Sequence, residues 1–201
     1  MERDSQTFKQ RLLAGELLIG TFVKTPSSMV CEVLAQSRLD VLCLDAEHSP
    51  FDRGSLDQCL LACRAGGVAA LVRVPSSKPE HILNALDCGA TGIVAPHIDC
   101  VEAAQSLAKK SQFGAGGRGY AGSTRAAHYT GKTIARHLQD SANNTAVIAQ
   151  IEDIEALECI EDIVAVDGID CFFIGMIDLT VALGADSPKD SVVIAAAESI
   201  C

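Results

Sequence analysis

A chain of 201 residues suits one large domain and leaves no room for two ordinary ones and a linker. Its formal charge of −10, with no block of Lys and Arg, argues against a nucleic-acid or anionic-membrane surface, so a small molecule is the expected partner. Nine cysteines without a paired CxxC give no support to a structural zinc site, and Cys31, Cys43, Cys59, Cys63, Cys88, Cys159 and Cys171 sit in apolar runs or helical faces, as reduced core residues of a cytoplasmic protein would.

The chain opens on MERDSQTFKQRL, which is charged and lacks the apolar region of a secretory signal. No run approaches membrane-spanning length. Six strands are then predicted, at about 17–25, 41–48, 69–75, 92–98, 146–152 and 171–178. Helical patterns lie between them: Leu56, Cys59, Leu60 and Cys63 repeat at i, i+3, i+4, i+7, and Ile82, Leu83 and Leu86 precede a stop at Gly89. Strands apolar on both faces and joined by single helices predict a parallel sheet covered by helices, either doubly wound or a (β/α) barrel. The mostly polar stretch from about 111 to 145 reads as a long βα insertion, with Asn143-Asn144-Thr145 as polar loop. Within it, Gly117, Gly119 and Gly122 spell G-x-G-x-x-G, but the motif neither follows a strand nor opens a helix, which rejects a dinucleotide site. A flexible loop fits better, with Arg118 and Arg125 able to make it an anion-holding lid.

The strands stop on residues with chemistry. Glu152 and Asp178 end two runs that, as neighbouring parallel strands roughly 4.7–4.9 Å apart, would bring both carboxylates to one sheet edge. Such a pair suits a hard divalent ion such as Mg²⁺ or Mn²⁺ with positions left for water and a chelating substrate. The alternative is that each acid caps a following helix, since IEDIEAL and IDLTVAL both look like helix starts. Gln150 adds a polar contact beside Glu152. His48 follows Asp45 by three residues, which lets the carboxylate fix the imidazole for general acid/base work; Glu47 is a further acid nearby. His81, His97, His128 and His137 have no comparable partner and read as ordinary residues. Arg73, inside apolar ALVRVP, needs an anion, either one of these acids or a substrate carboxylate or enolate.

In order along the chain, GTFVKTPS, LDAEHSPFD, VRVPSS, LDCGATGIVAPH, GGRGYAGSTRAAHY, AQIED and IGMIDLT resemble the HpcH/HpaI aldolase family, over about residues 15 to 185. The resemblance implies a (β/α) TIM-type barrel of the phosphoenolpyruvate/pyruvate type. It implies a class II aldolase that cleaves 2-keto-3-deoxy acids or 4-hydroxy-2-oxoheptanedioate to pyruvate and an aldehyde. By the same resemblance, Glu152 and Asp178 hold a divalent metal (Mg²⁺, Mn²⁺ or Co²⁺), His48 supported by Asp45 is the acid/base, and Arg73 stabilises the pyruvate enolate. Gln150 and Gly175 meet the substrate, and Asp87 reaches the site of a neighbouring subunit, so a homo-oligomer, usually a hexamer, is expected. Two departures stand out. A closed barrel of this kind has eight strands in roughly 250 residues, whereas this sequence is expected to be a single barrel domain, 1–201, that stops after about six βα units. Met176-Ile177 also stands where the family commonly has a Pro and a small residue. Competing expectations are a non-catalytic oligomer partner, a related acyl-CoA lyase and a Schiff-base lyase using Lys24.

Overall fold

The computed structural model describes residues 6–201, so Met1–Ser5, the start of the charged N-terminal stretch, lie outside the described residues. Helix α1 (Phe8–Leu13) is followed by β1 (Gly20–Val23), α2 (Ser28–Ala35), β2 (Val41–Asp45), α3 (Arg53–Gly66), β3 (Ala69–Arg73), α4 (Pro79–Asp87), β4 (Gly92–Ala95) and α5 (Val101–Ser111). Then come α6 (Ile134–Asn144), β5 (Ala146–Ile151), α7 (Ile154–Glu158), α8 (Ile160–Val164), β6 (Cys171–Ile174), α9 (Met176–Ala182) and α10 (Ser191–Ile200). All six strands pair in parallel in the order β1-β2-β3-β4-β5-β6. The result is an α/β fold with a half-barrel sheet. Its curl is strong enough for Phe22 of β1 and Phe173 of β6, on the two edge strands, to meet edge-on at 5.7 Å between ring centroids.

Helix α3 shows how local sequence sets these elements. The Asp52 carboxylate accepts from Ser55 N–H at 2.7 Å and so caps the first turn, and Gly67 ends the helix at φ 71°, a conformation glycine adopts without strain. Its buried stripe is Leu56, Cys59, Leu60 and Cys63, the predicted repeat. These side chains join the layer between helices and sheet, which includes Leu42, Leu44, Val72, Ile93, Val147 and Ile151. Alternate strand residues face inward instead: Cys43 lies opposite Leu71 and Val94 opposite Ile148, and Phe8 of α1 closes that inner cluster from one end. Such layering buries both faces of the central strands, as parallel sheets require.

Several boundaries differ from expectation. Strand β6 stops at Ile174, because Gly175 already caps α9, so Asp178 sits in the first turn of that helix. Strand β2 stops at Asp45 and β5 at Ile151, which leaves His48 and Glu152 just beyond the ladder. The stretch 111–145 is not a βα insertion: it follows α5 and contains α6, whose last turn runs straight into β5. Its polar composition hid the narrow buried face of α6, formed by His137 and Ser141. Asn143 and Asn144 are therefore helical and Thr145 is the C-cap, not a polar loop. Among the described residues no helix is long and apolar enough to cross a membrane.

Candidate active site

Register brings the first pair together. Asp45 and Arg73 are the last residues of adjacent strands β2 and β3 and stand directly opposite each other. Arg73 Nε donates to Asp45 Oδ1 at 3.0 Å and Nη2 to Oδ2 at 2.7 Å, a two-pronged contact that fixes the plane of the guanidinium. The Asp45 side chain has no solvent exposure and that of Arg73 is 9 % exposed. Arg73 Nε also lies 3.3 Å from Glu47 Oε2, and its guanidinium carbon sits 4.8 Å from the Phe22 ring centroid. Burial weighs against ionisation of Asp45, but hydrogen bonds from Arg73 and from the His48 N–H outweigh it and hold the carboxyl below its usual value.

The second group forms at the ends of β4 and β5. Gln150 Nε2 donates to Glu152 Oε2, and His97 N–H donates to Glu152 Oε1 at 3.0 Å. His97 reaches that position through φ 55°, a left-handed conformation costly for a non-glycine residue and one of few such positions among the described residues. Its ring Nδ1 lies 3.1 Å from Asp153 Oδ2 and 3.5 Å from Glu152 Oε1, while Nε2 lies 3.8 Å from Glu47 Oε1. Glu47 thus bridges the Arg73 pair and the Glu152 group. His97, Glu152 and Asp153 place one ligand atom each within 4.8 Å of one another, a set that could hold a metal ion. Burial pushes the Glu152 carboxyl up and the nearby Asp178 charge adds to the effect, against the Gln150 and His97 hydrogen bonds. Burial lowers His97, yet the Asp153 hydrogen bond and the charges of Glu152, Asp153 and Glu47 raise it overall.

The profile of the HpcH/HpaI aldolase/citrate lyase family matches residues 18–201. This chain belongs to that family. Among HpcH/HpaI relatives, it is 34 % identical over 192 residues to a hydroxypyruvate/pyruvate aldolase of Paraburkholderia phytofirmans, covering 92 % of this chain and 73 % of that protein. It is 32 % identical over 178 residues to a 5-keto-4-deoxy-D-glucarate aldolase of Shigella boydii, covering 88 % and 68 %. A crystal structure of a family member from Burkholderia cenocepacia superposes with a TM-score of 0.89 at 33 % identity, covering 96 % of this chain and 77 % of that one. HpcH/HpaI membership makes the chain one of an aldolase and lyase family, as the motifs implied.

Within this HpcH/HpaI chain the expected site residues gather unevenly. Asp45 and Arg73 form one set and Gln150, Glu152 and Gly175 another, with Glu47 between them; a Cβ at Gly175 would stand 2.6 Å from Glu152 Cβ, so the glycine is what lets α9 start against that carboxylate. Asp178 is exposed beside them. Asp45 does not touch the His48 imidazole. It accepts the His48 backbone N–H at 3.1 Å, and the ring, 54 % exposed, instead has Nε2 3.7 Å from Glu47 Oε2. The reason is that Arg73 already occupies both oxygens of Asp45. Asp87 lies at the far end of α4, away from this cluster, buried and with Oδ1 lacking a hydrogen-bond partner among the described residues. Sequence reasoning passed over His97, whose partners are 55 and 56 residues away and meet it only because β4 pairs with β5.

The Asp45 shift carries a pH prediction. A carboxyl depressed in the folded state stabilises above its unfolded value of about 3.9, and that stability is lost as pH falls through the folded value. Urea unfolding of the parent and of Asp45→Asn should differ clearly at pH 7, and the difference should shrink only as pH falls below the unfolded value and through the depressed folded one. A difference that stays constant over that range would remove Asp45 as an acid-sensitive element.

Proposed function

We propose that this chain is a divalent-metal-dependent aldolase that reversibly cleaves a 4-hydroxy-2-oxo acid to pyruvate and an aldehyde. The carrying observation is the Arg73 guanidinium, fixed by Asp45 and joined through Glu47 to the Glu152 group at one end of the sheet. Catalytic groups of barrel enzymes collect at this end, where strands deliver their C-termini. The two named relatives act on pyruvate and keto-deoxy sugar acid substrates, which supports pyruvate as one half of the reaction.

The donor set fits a hard cation. Glu152 and Asp178 would hold it, with Asp153 and His97 beside them, and among the described residues the buried Gln150 Oε1 has no hydrogen-bond partner, while Glu47 Oε2 meets Arg73 as an ion pair without a hydrogen bond. Mg²⁺, Mn²⁺ or Co²⁺, when bound there, supplies Lewis-acid stabilisation of negative charge on a 2-oxo acid. Arg73 places a fixed positive charge where enolate charge develops and needs no reorganisation to do so. Gln150 and Gly175 line the substrate side of Glu152, one as a polar contact and the other by leaving space. His48, exposed and beside Glu47, takes the proton from the 4-hydroxyl during cleavage and returns it during condensation. Asp87, remote within one chain, acts in the site of a neighbouring copy, so the working form is a homo-oligomer, a hexamer by analogy. Lys24 does not suit Schiff-base chemistry: its side chain is 60 % exposed and its Nζ lies 3.5 Å from Asp45 Oδ2 rather than walled in by apolar groups.

Loss of the pyruvate methyl proton signal in D₂O tests the reading without knowledge of the aldehyde. Exchange is expected with Mn²⁺ or Mg²⁺, to vanish with EDTA, and to leave no borohydride-trapped adduct. A folded sample that shows no exchange, or exchange indifferent to EDTA, would overturn it.

A further inference from the structure

A second cluster of charge lies at the opposite end of the sheet. A cavity of about 330 Å³ opens beside Gly89, Ala90 and Thr91, which lead into β4, and Thr145, which leads into β5. That is the end away from Arg73 and Glu152. Arg64, Arg118, Arg125, His128, Lys132 and His137 line it, and Asp140 is the sole carboxylate among its described lining residues. In a chain of net charge −10, so cationic a concavity demands an explanation.

Buried polar atoms supply one. Arg118, Arg125 and His137 are 7 %, 9 % and 2 % exposed, yet Arg118 Nε, Arg125 Nε and His137 Nδ1 have no hydrogen-bond partner among the described residues. Leaving the two guanidinium N–H groups unpaired is costly, so the arginines expect an acceptor. Their remaining nitrogens are only partly served. Arg118 Nη2 donates to Ser141 Oγ at 3.2 Å, with the guanidinium 3.9 Å from the Phe113 ring centroid, and Arg125 Nη2 reaches Asp57 Oδ2 at 2.7 Å. Asp140 is spent on Lys132 at 2.9 Å and Arg136 at 2.8 Å. Burial pulls the Arg118 guanidinium down to about 10, still charged at neutral pH, with Asp87 acting against the fall. Burial and then Lys132 lower both His128 and His137, as a locally positive potential would. The backbone is unusual here too: His128, which lines the cavity, and the following Tyr129 and Thr130 hold φ of 52°, 51° and 74° in succession, a strained run.

We propose that this cavity is a binding site for a small phosphorylated acid, with the phosphate gripped by the Arg118 and Arg125 guanidiniums and Lys132. Guanidinium groups match phosphate oxygens in geometry and charge. The volume falls at the small end of the roughly 300–1,000 Å³ spanned by small-molecule sites, which suits a phosphate and a few carbons. The Gly-rich loop thus holds an anion as its arginines suggested, but away from the catalytic end rather than as a lid over it. This proposal stands independently of the aldolase reading.

Calorimetric titration of the full chain with inorganic phosphate and, separately, with 3-phosphoglycerate tests it. Saturable binding of at least the phosphorylated acid is expected. Arg64→Gln and Lys132→Gln, at the accessible rim, should each weaken it about 5- to 10-fold, and Arg125→Met should abolish it. Tighter binding of 3-phosphoglycerate than of phosphate would favour an organic ligand, and equal binding would reduce the proposal to its phosphate half. No saturable binding by either probe, or affinities unchanged in the two rim variants, would overturn it and leave a neighbouring chain's carboxylate as the better partner for these arginines.

Discussion

Replacement of Arg73 by Met is expected to remove pyruvate enolisation and to destabilise the fold, and the two losses can be separated. Arg73 is both the fixed cation of the site and the partner of Asp45, whose carboxylate has no exposure to water. Removing one partner of a buried pair strands the other charge, which costs about 3–5 kcal/mol. Lys24, 3.5 Å from Asp45 and largely exposed, can recover only part of that. Removing a preorganised donor to a developing oxyanion typically costs roughly 10²–10³ in rate. In Asp45→Asn/Arg73→Met the Asp45 charge is gone and only that of Glu47, 3.3 Å from Arg73 in the parent, is left without its cation, so denaturant midpoints should recover part of the way to the parent while methyl exchange stays lost. Recovery of both together would mean that Arg73 matters only as scaffold. Exchange that survives in the single variant would move enolate stabilisation elsewhere.

Much of this was legible in the chain. The strands were visible because central parallel strands are apolar on both faces, and VLCLD, AALVR and AVIAQI leave little else for those runs to be. Arg73 was legible for the opposite reason, as a cation within the apolar run ALVRVP. What the sequence could not show was assignment of partners. Asp45 stands three residues before His48, which invites a carboxylate–imidazole pair, yet strand register puts Asp45 opposite Arg73 and Arg73 takes both oxygens. His97 was passed over because Glu152 and Asp153 become its neighbours only across the β4–β5 ladder. Its left-handed backbone, which aims the N–H at Glu152, has no marker in local sequence. Helix α6 was hidden because a helix that buries mainly a histidine and a serine lacks the apolar stripe by which helices are recognised.

Glu152→Gln and Gly175→Ala should fail for different physical reasons, and the contrast tests the acid half of the site. Glu152 is buried at 2 % exposure with its carboxyl pushed up by burial, so as an anion it burdens the apo fold. The amide keeps one acceptor for either Gln150 or the His97 N–H and loses the other, an exchange within about 1 kcal/mol of neutral. Glu152→Gln should therefore unfold near the parent while Mn²⁺ binding, read by electron paramagnetic resonance, and methyl exchange both collapse by roughly 10²-fold or more, the scale expected when a charged ligand to the reacting centre is lost. Gly175→Ala keeps every charge. Its new methyl would stand 2.6 Å from Glu152 Cβ and 2.8 Å from Oε2, so either the start of α9 or the carboxylate must move. Overpacking of this sort costs about 1–3 kcal/mol. Gly175→Ala is thus expected to lose stability and Mn²⁺ affinity together, although no ligand has been removed. Normal Mn²⁺ binding in Glu152→Gln would exclude that carboxylate from the metal site and shift the assignment toward His97 and Asp153.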